Sequence, residues 1–221
     1  MLKSILTVTT PAASFDLTNL LNLLADLNIN DASAQDRIFL RNAMSQASAG
    51  IAQECNRVFP LQTYQEDFRN DGTVRSWPLP GSPTVLQLSR WPITTVTSVT
   101  EDPVVAPTVL VADSDYIADL ANGQLTRLSS DTGRPRPWTK TTSVSIVYQA
   151  GYATIPYDLQ DAVHRQVKAR WYARARDPML KAESMPNVIS YQYWVASMGE
   201  IGNFTPDVSD IIDKYRVPNI G

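Results

Sequence analysis

The sequence predicts an α+β fold, an antiparallel helical bundle with an inserted antiparallel β module. Three observations predict it. Apolar residues recur at helical spacing from 17 to 58. From 61 to 152 that period vanishes, Thr, Val, Pro and Gly rise, and turn dipeptides appear. A strong helical pattern then returns at 156 and runs to Pro178. Helices on both sides of a β stretch imply an insertion rather than an alternating α/β chain. At 221 residues and 43% hydrophobic content, one domain with an insertion and a sizeable core is expected.

In chain order, residues 1–14 form an extended N-terminal arm, crowded with Thr, Pro and Ser. A frayed end is preferred slightly over a partner-binding arm. The helical segment spans 15–60. Its first helix begins near Asp16, with Leu17, Leu20, Leu21, Leu24 and Leu27 as an apolar stripe. A second helix starts near Asp31 or Ser33, where Ser33 and Asp36 resemble a capping box. Leu40, Met44, Ala47, Ile51, Cys55 and Val58 carry its core face to a stop at Pro60. Alanines and Gly50 make it slim enough for close packing.

The β module spans 61–155. Tyr64–Phe68 and Thr73–Trp77 flank an Asp71-Gly72 turn and predict a hairpin. Val85–Arg90 and Ile93–Thr100 are strands broken by Trp91-Pro92, and a short apolar run follows at Val109–Val111. Asp115–Leu120 and Gln124–Leu128 predict a second hairpin about Asn122-Gly123. A basic, proline-containing loop at Gly133–Pro137 precedes the closing strand, Ser143–Tyr148.

The third helix occupies 156–178. Pro156 suits a first helical turn because its missing N–H is not needed there. Asp158 and Asp161 complement the positive end of the helix dipole, and Arg174 and Arg176 the negative end. Leu159, Val163, Val167 and Trp171 form an i,i+4 core line, flanked by Ala162, Ala169 and Ala173. Arg165, Lys168, Tyr172 and Arg176 lie opposite. Arg170 and Arg174 continue the apolar side and so require carboxylates, a partner surface or water. Residues 179–221 form a C-terminal segment with no assigned fold over 179–204. Its aromatic cluster, Tyr191, Tyr193 and Trp194, fits a core patch or an interface anchor equally well. A short terminal helix runs from Pro206 to Tyr215, with Thr205 as N-cap and Val208, Ile211, Ile212 and Tyr215 on one face.

No catalytic constellation emerges, so no catalytic, cofactor-binding or metal site is assigned. The single histidine, His164, reads as a helical surface residue beside Arg165 and Lys168, poorly placed to accept a proton. The single Cys55 reads as a buried thiol and allows neither an intrachain disulfide nor a Cys-based zinc site. Asp113-Ser114-Asp115 lacks the rest of a calcium loop, and neither GxxxxGK[ST] nor GxGxxG occurs. Glu66 and Asp67 point to opposite faces of one strand and cannot flank one substrate. A net charge of −3 argues against a dedicated nucleic-acid binder. The start MLKSILTVTTPAAS reads as neither a signal peptide nor a membrane segment.

The order of features carries a resemblance. LQLSRWPITTVTSVT (86–100), DYIADLANGQLTRL (115–128), Trp138, then VSIVYQAGYATIPYDLQDAV (144–163) and an arginine-rich helix follow one another. AGIAQECNRVF (49–59) precedes them and SDIIDKYRVP (209–218) closes the chain. Together these resemble the head–tail connector (adaptor) proteins of tailed bacteriophages, over roughly 31–216. The resemblance implies a non-enzymatic virion protein made in the host cytoplasm, without cofactor or membrane. Such proteins form a homo-oligomeric ring, usually a dodecamer, at the neck. They bind the portal protein on one side and a head-closure or tail component on the other, and DNA passes through the channel without sequence-specific binding.

On this reading Arg165, Lys168, Arg170, Arg174, Arg176, Tyr191, Tyr193, Trp194, Tyr215 and Arg216 are the candidate subunit or portal interface. Arg170 and Arg174 are expected to pair with carboxylates of a neighbour. The alternative within the class is a head-closure or tail-completion protein. From another class it is a carbohydrate- or nucleic-acid-binding module using its aromatics.

Overall fold

The computed structural model describes residues 3–69, 84–104, 106–138, 143–174, 182–185, 189–192 and 204–217. Its elements are β1 (Lys3–Thr10), α1 (Leu20–Asp26), α2 (Ala34–Glu54), β2 (Gln62–Arg69), β3 (Val85–Gln87), β4 (Ile93–Glu101) and β5 (Thr108–Val109), followed by β6 (Tyr116–Asp119), β7 (Gln124–Arg127), β8 (Ser143–Ala150), α3 (Tyr157–Ala173), β9 (Ala182–Met185), β10 (Ile189–Gln192) and α4 (Pro206–Asp213). The fold is mixed α and β with antiparallel sheets. The chain divides into two compact units, one of Met1–Ser14 and Val58–Thr154, the other of Phe15–Arg57 and Ile155–Gly221.

The first unit is built on a five-stranded sheet of order β1-β2-β8-β4-β5. Its central strand β8 alternates half-buried and buried positions along its whole length. Val144, Ile146, Tyr148 and Ala150 point into the core with Tyr64 and Phe68 of β2. A three-stranded sheet, β3-β7-β6, contributes Leu86, Leu125 and Tyr116 to the same core, and Trp138 fills it with no exposed surface. In β2, β7 and β8 every second residue is buried, as period-two side-chain geometry requires.

Two charged side chains of this unit, Glu66 and Arg127, are buried among the described residues and both are partnered. The Glu66 carboxylate is wholly buried and accepts from the Ser89 N–H (3.0 Å), the Ser89 hydroxyl (2.5 Å) and the Tyr148 hydroxyl (2.9 Å). It thus ties β2, β8 and the loop after β3 together. Burial, then the Glu66 charge, drive the Tyr148 phenol far above its ordinary pKa, so it stays a donor. Arg127 of β7 is also buried. Its Nε lies 3.0 Å from Glu101 Oε1 of β4 and its Nη1 lies 3.4 Å from Asp115 Oδ1. The same Nη1 donates to the Leu128 carbonyl at 3.2 Å. A buried guanidinium needs such full pairing to repay its desolvation.

Three strand ends converge on Gly151. Ala150 pairs with Gln62 of β2 and Ile93 of β4. The Gly151 N–H donates to the Pro92 carbonyl (2.9 Å), and the Tyr152 N–H donates to the Phe59 carbonyl (2.7 Å). Gly151 has φ +111°, and a Cβ there would sit 2.6 Å from the Pro60 carbonyl oxygen. Only glycine fits. The Trp91–Pro92 peptide is cis.

The frayed N-terminus expected from composition is instead β1, paired antiparallel to β2 from Lys3↔Arg69 to Thr10↔Thr63. The β-branched Ile5, Thr7, Val8, Thr9 and Thr10 suit an extended strand, and Pro11 follows its end. Val85–Arg90 contracts to a three-residue strand and Val109–Val111 to the two-residue β5. The hairpin about Asn122-Gly123 forms, with Gly123 at φ +70°. The Asp71-Gly72 turn and the Thr73–Trp77 arm lie outside the described residues.

The second unit is helical, with the short β9–β10 ladder (Ile189↔Met185 to Gln192↔Ala182) besides. α1 packs on α2, α2 on α3, and α3 on α4. The helices have 7, 21, 17 and 8 residues, and they pack pairwise; a helical bundle is not what they show. Ser33 caps α2, accepting from the Asp36 N–H (3.1 Å) and donating to its carboxylate (2.8 Å). Leu40, Ala43, Met44, Ala47 and Ile51 of α2 and Leu159, Ala162, Val163 and Val167 of α3 are buried. The alanines let the backbones approach.

Three boundaries differ from the sequence expectation. α1 starts at Leu20, capped by Asn19, and buries Leu23 while leaving Leu21 77% exposed. Its stripe is therefore set by Leu23 and Leu27, not Leu21. α2 ends at Glu54, because Asn56 takes the left-handed conformation (φ 49°) that terminates helices. Val58 lies beyond it. α3 ends at Ala173, so its last turn carries Arg170 rather than Arg174. Cys55 is buried, its thiol pushed up to about 11 by desolvation, and its backbone carbonyl accepts from the Val217 N–H at 3.0 Å.

Gly151→Ala is expected to lower unfolding free energy by roughly 2–3 kcal/mol, from strain and a backbone clash together. Gly133 also has positive φ (+64°) but nothing within 4 Å of a built Cβ. Gly133→Ala should therefore cost only the strain, about 1 kcal/mol. Urea midpoints of the two variants check the ordering.

Candidate functional site

The candidate interface residues fall on the second unit, and the structure supplies most of the described cations with a partner in the same chain. Arg165 reaches Asp161 one turn earlier (2.8 Å) and Asp207 at the start of α4 (2.9 Å), so it staples α3 to α4. Lys168 lies 2.7 Å from Asp26 at the end of α1. Arg170 donates to the Gln46 side-chain carbonyl at 2.9 Å. Arg174 lies 2.6 Å from Asp36 in the first turn of α2, and its guanidinium sits 3.6 Å over the Trp171 ring. Trp171 in turn packs against Phe39 at 6.0 Å. Arg216 pairs with Glu54 and, at 3.3 Å, with Asp213. The Tyr215 hydroxyl meets both Asp158 carboxylate oxygens at 2.8 and 2.9 Å.

Within the single chain, Arg170 and Arg174, expected to pair with carboxylates of a neighbour, contact Gln46 and Asp36 of α2. Arg176, Tyr193 and Trp194 lie outside the described residues. Tyr191 falls on β10, of which the backbone alone is described.

His164 is not the surface histidine expected. Its side chain is 13% exposed, with Nε2 2.9 Å from the Thr18 hydroxyl and Nδ1 3.5 Å from Asp26. Desolvation lowers its pKa below the ordinary value, against the pull of Asp26 and Asp161. The partners Asp26, Asp36, Glu54, Asp158 and Asp207 escaped the sequence reading. Their separations run from 42 residues for Arg165–Asp207 to 162 for Arg216–Glu54, beyond any local periodicity. Gln166, on the line flanking the core stripe, is buried at 5% exposure.

The electrostatics follow from these pairs. The Arg174 hydrogen bond and the Ser33 hydroxyl hold the Asp36 carboxyl below its ordinary range. Arg165 does the same to Asp207. The pairs are partly solvated, so each adds modest stability. Their combined effect is to cancel what would otherwise be a basic stripe along α3. Exposed apolar side chains remain at Phe15, Leu21, Ile38, Tyr157 and Tyr172. Among the described residues no three His, Cys, Asp or Glu side chains gather as a metal site, and no helix is long and apolar enough to cross a membrane. In the first unit, an open depression of about 400 Å³ is lined by Gln65, Asp67, Arg69, Pro103, Val104, Ser143 and Ser145. Its Asp67 is already engaged by the Ser145 hydroxyl at 2.6 Å.

No protein-family model matches the sequence, and no curated protein does. Among solved structures, a chain in the neck of an empty gene transfer agent particle, computed with C6 symmetry, shares the fold. Its TM-score is 0.53 at 18% identity, over 98% of this chain and 97% of that one. A chain in the virion of a native gene transfer agent particle matches with a TM-score of 0.50 at 18% identity, over the same shares. The protein therefore has a fold found in a virion neck, in agreement with the head–tail connector resemblance read from its motifs.

Stability should fall in two steps on acidification. A depressed native pKa means the unfolded chain binds protons first, so stability is full above the unfolded pKa and lost as pH falls through the native one. His164 gives the first loss below about 6.5, and Asp36 and Asp207 the second below about 4. His164→Gln should flatten the first step in urea titrations at pH 7.5 and 5.5 and leave the second in place. Arg174→Glu should lower the thermal midpoint, and adding Asp36→Arg should recover it. Failure of that recovery would mean the pair does not act within the chain.

Proposed function

We propose that this chain is a structural component of a virion neck, the head–tail connector (adaptor) that sits as a ring of copies beneath the portal. It gives tail components a docking surface and leaves a channel through which DNA passes. The observation that carries this reading is the end-to-end likeness to the neck chain, which spans 98% of this protein. The motif order from Ala49 to Pro218 supports the same assignment independently of the coordinates.

Two features of the surface suit a conduit rather than a clamp on DNA. Net charge is −3. Arg165, Lys168, Arg174 and Arg216 are engaged by carboxylates, so these four are less available to displace phosphate counterions. The role is non-enzymatic: the chain works by filling a place between the portal on one side and a head-closure or tail component on the other.

Electron microscopy of particles carrying a tagged copy should place the tag in a collar between head and tail, and particles lacking the chain should lose genome or fail to join tails. Tailed, filled particles without it would overturn the reading. Purified protein should bind duplex DNA weakly, with a log–log salt slope no steeper than about −2. Tight binding with a steeper slope, measured by fluorescence anisotropy, would remove the passive-channel part.

A further inference from the structure

We propose that copies of this chain are joined by sheet-edge pairing, with β10 of one copy adding antiparallel to the open β1 edge of the next. This deepens the ring assignment above and rests on it.

The two edges of the five-stranded sheet are unlike. At one end β5 has two residues and follows directly on Pro107, with Pro103 four residues further back. A very short strand entered from a proline is a protected edge. At the other end β1 runs for eight residues, about 26 Å at strand rise. It contains no proline and no acidic residue, and its one charge, Lys3, is at its start. The register stays regular from Lys3 to Val8 before a bulge. Ile5 is 51% and Val8 47% exposed. One side of β1 is paired with β2 and no described strand pairs with its other side, whose row of N–H and C=O groups is the kind a further strand satisfies.

The chain also holds a strand in need of an edge. β9 and β10 form a two-stranded ladder with no third strand among the described residues. A lone two-stranded ribbon is marginal in water and gains most from a further strand. β9 carries Glu183, whereas β10, ISYQ, is uncharged with apolar and polar residues alternating. Against Lys3–Val8 of β1, KSILTV, it opposes no like charges. Four residues of β10 fit within the six of the regular register.

Because the donor strand and the acceptor edge are different parts of one chain, the contact is heterologous. Each copy gives one strand and receives one, so it propagates and closes into a ring when the rotation permits. Backbone pairing tolerates sequence change in a way that side-chain anchors do not.

The test uses full-length protein carrying Ser190→Cys combined in turn with Ile5→Cys, Leu6→Cys and Thr7→Cys. Strand neighbours lie within disulfide reach, and the native Cys55 is buried. Oxidation is carried out on assembled particles and on concentrated free protein. The expected result is a ladder of cross-linked multimers from at least one combination, reduced about tenfold when Val8→Lys is added to a chain with unchanged circular dichroism. Each of four results overturns the proposal: a disulfide confined to one chain, dimers from Thr7→Cys alone, a cross-link from β1 to a different protein, or no cross-link in either sample. Absence of the chain from particles defeats the neck assignment instead, and a ladder from free protein then still supports the joint.

Discussion

The turn at Gly151 is the constraint on which the β unit depends. Within two residues the chain finishes β8, donates one N–H to Pro92 and the next to Phe59. Those contacts fix where β2 and β4 begin relative to β8. A side chain at 151 would meet the Pro60 carbonyl, so no other residue permits all three strands to end together. From that point the register runs outward: Tyr148 opposite Tyr64 and Val96, then Ile146 opposite Glu66 and Val99. A slip by one residue would turn Glu66 away from Tyr148 and Ser89 and leave its charge without the donors that make burial tolerable.

This explains why a carboxylate occupies a core position. Glu66 and Asp67 are adjacent in sequence and opposite in environment. Glu66 faces the core and accepts three hydrogen bonds, while Asp67 faces the half-exposed side and takes the Ser145 hydroxyl. Arg127 repeats the device at the second sheet, bringing β7 to Glu101 of β4 and to the turn before β6. Both clusters join elements that apolar contact alone would hold without specifying an alignment. Their likeness to a catalytic set is superficial: every polar atom named points at a structural partner.

Much of this was legible in the sequence where the signal is local. The cap at Ser33, the core face of α2 from Leu40 to Ile51, the α3 line through Leu159, Val163 and Val167, and the Asn122-Gly123 turn all follow from periodicity and backbone preference. What was not legible required a partner far along the chain. β1 reads as strand only when β2, more than 50 residues on, is known to lie beside it. His164 looks like a surface residue until Thr18, just before α1, and Asp26, at its end, meet its ring. Asn56 stops α2 although apolar spacing continues to Val58, because a left-handed residue ends the helix whatever the periodicity beyond it. The arginines of α3 were the sharpest case. Within the chain, Arg165 and Arg174 meet carboxylates of α4 and α2 and Arg170 meets the Gln46 amide, partners that no local spacing announces.

That redistribution changes what the surface offers a partner. With the described cations of α3 and the Arg216 guanidinium already engaged, a neighbour would have to break an existing contact to recruit most of them, and an exposed ion pair exchanged for another gains little. On the ring proposal, exposed apolar side chains and the edge of β1 that no described strand covers are the surfaces left for association. Backbone pairing is the more directional, since it fixes strand polarity and register together. A subunit whose charges are settled internally and whose sheet ends in a long, proline-free edge is suited to a joint that sets angle rather than one that maximises attraction. Equal angles at every joint are what a closed ring of identical copies requires.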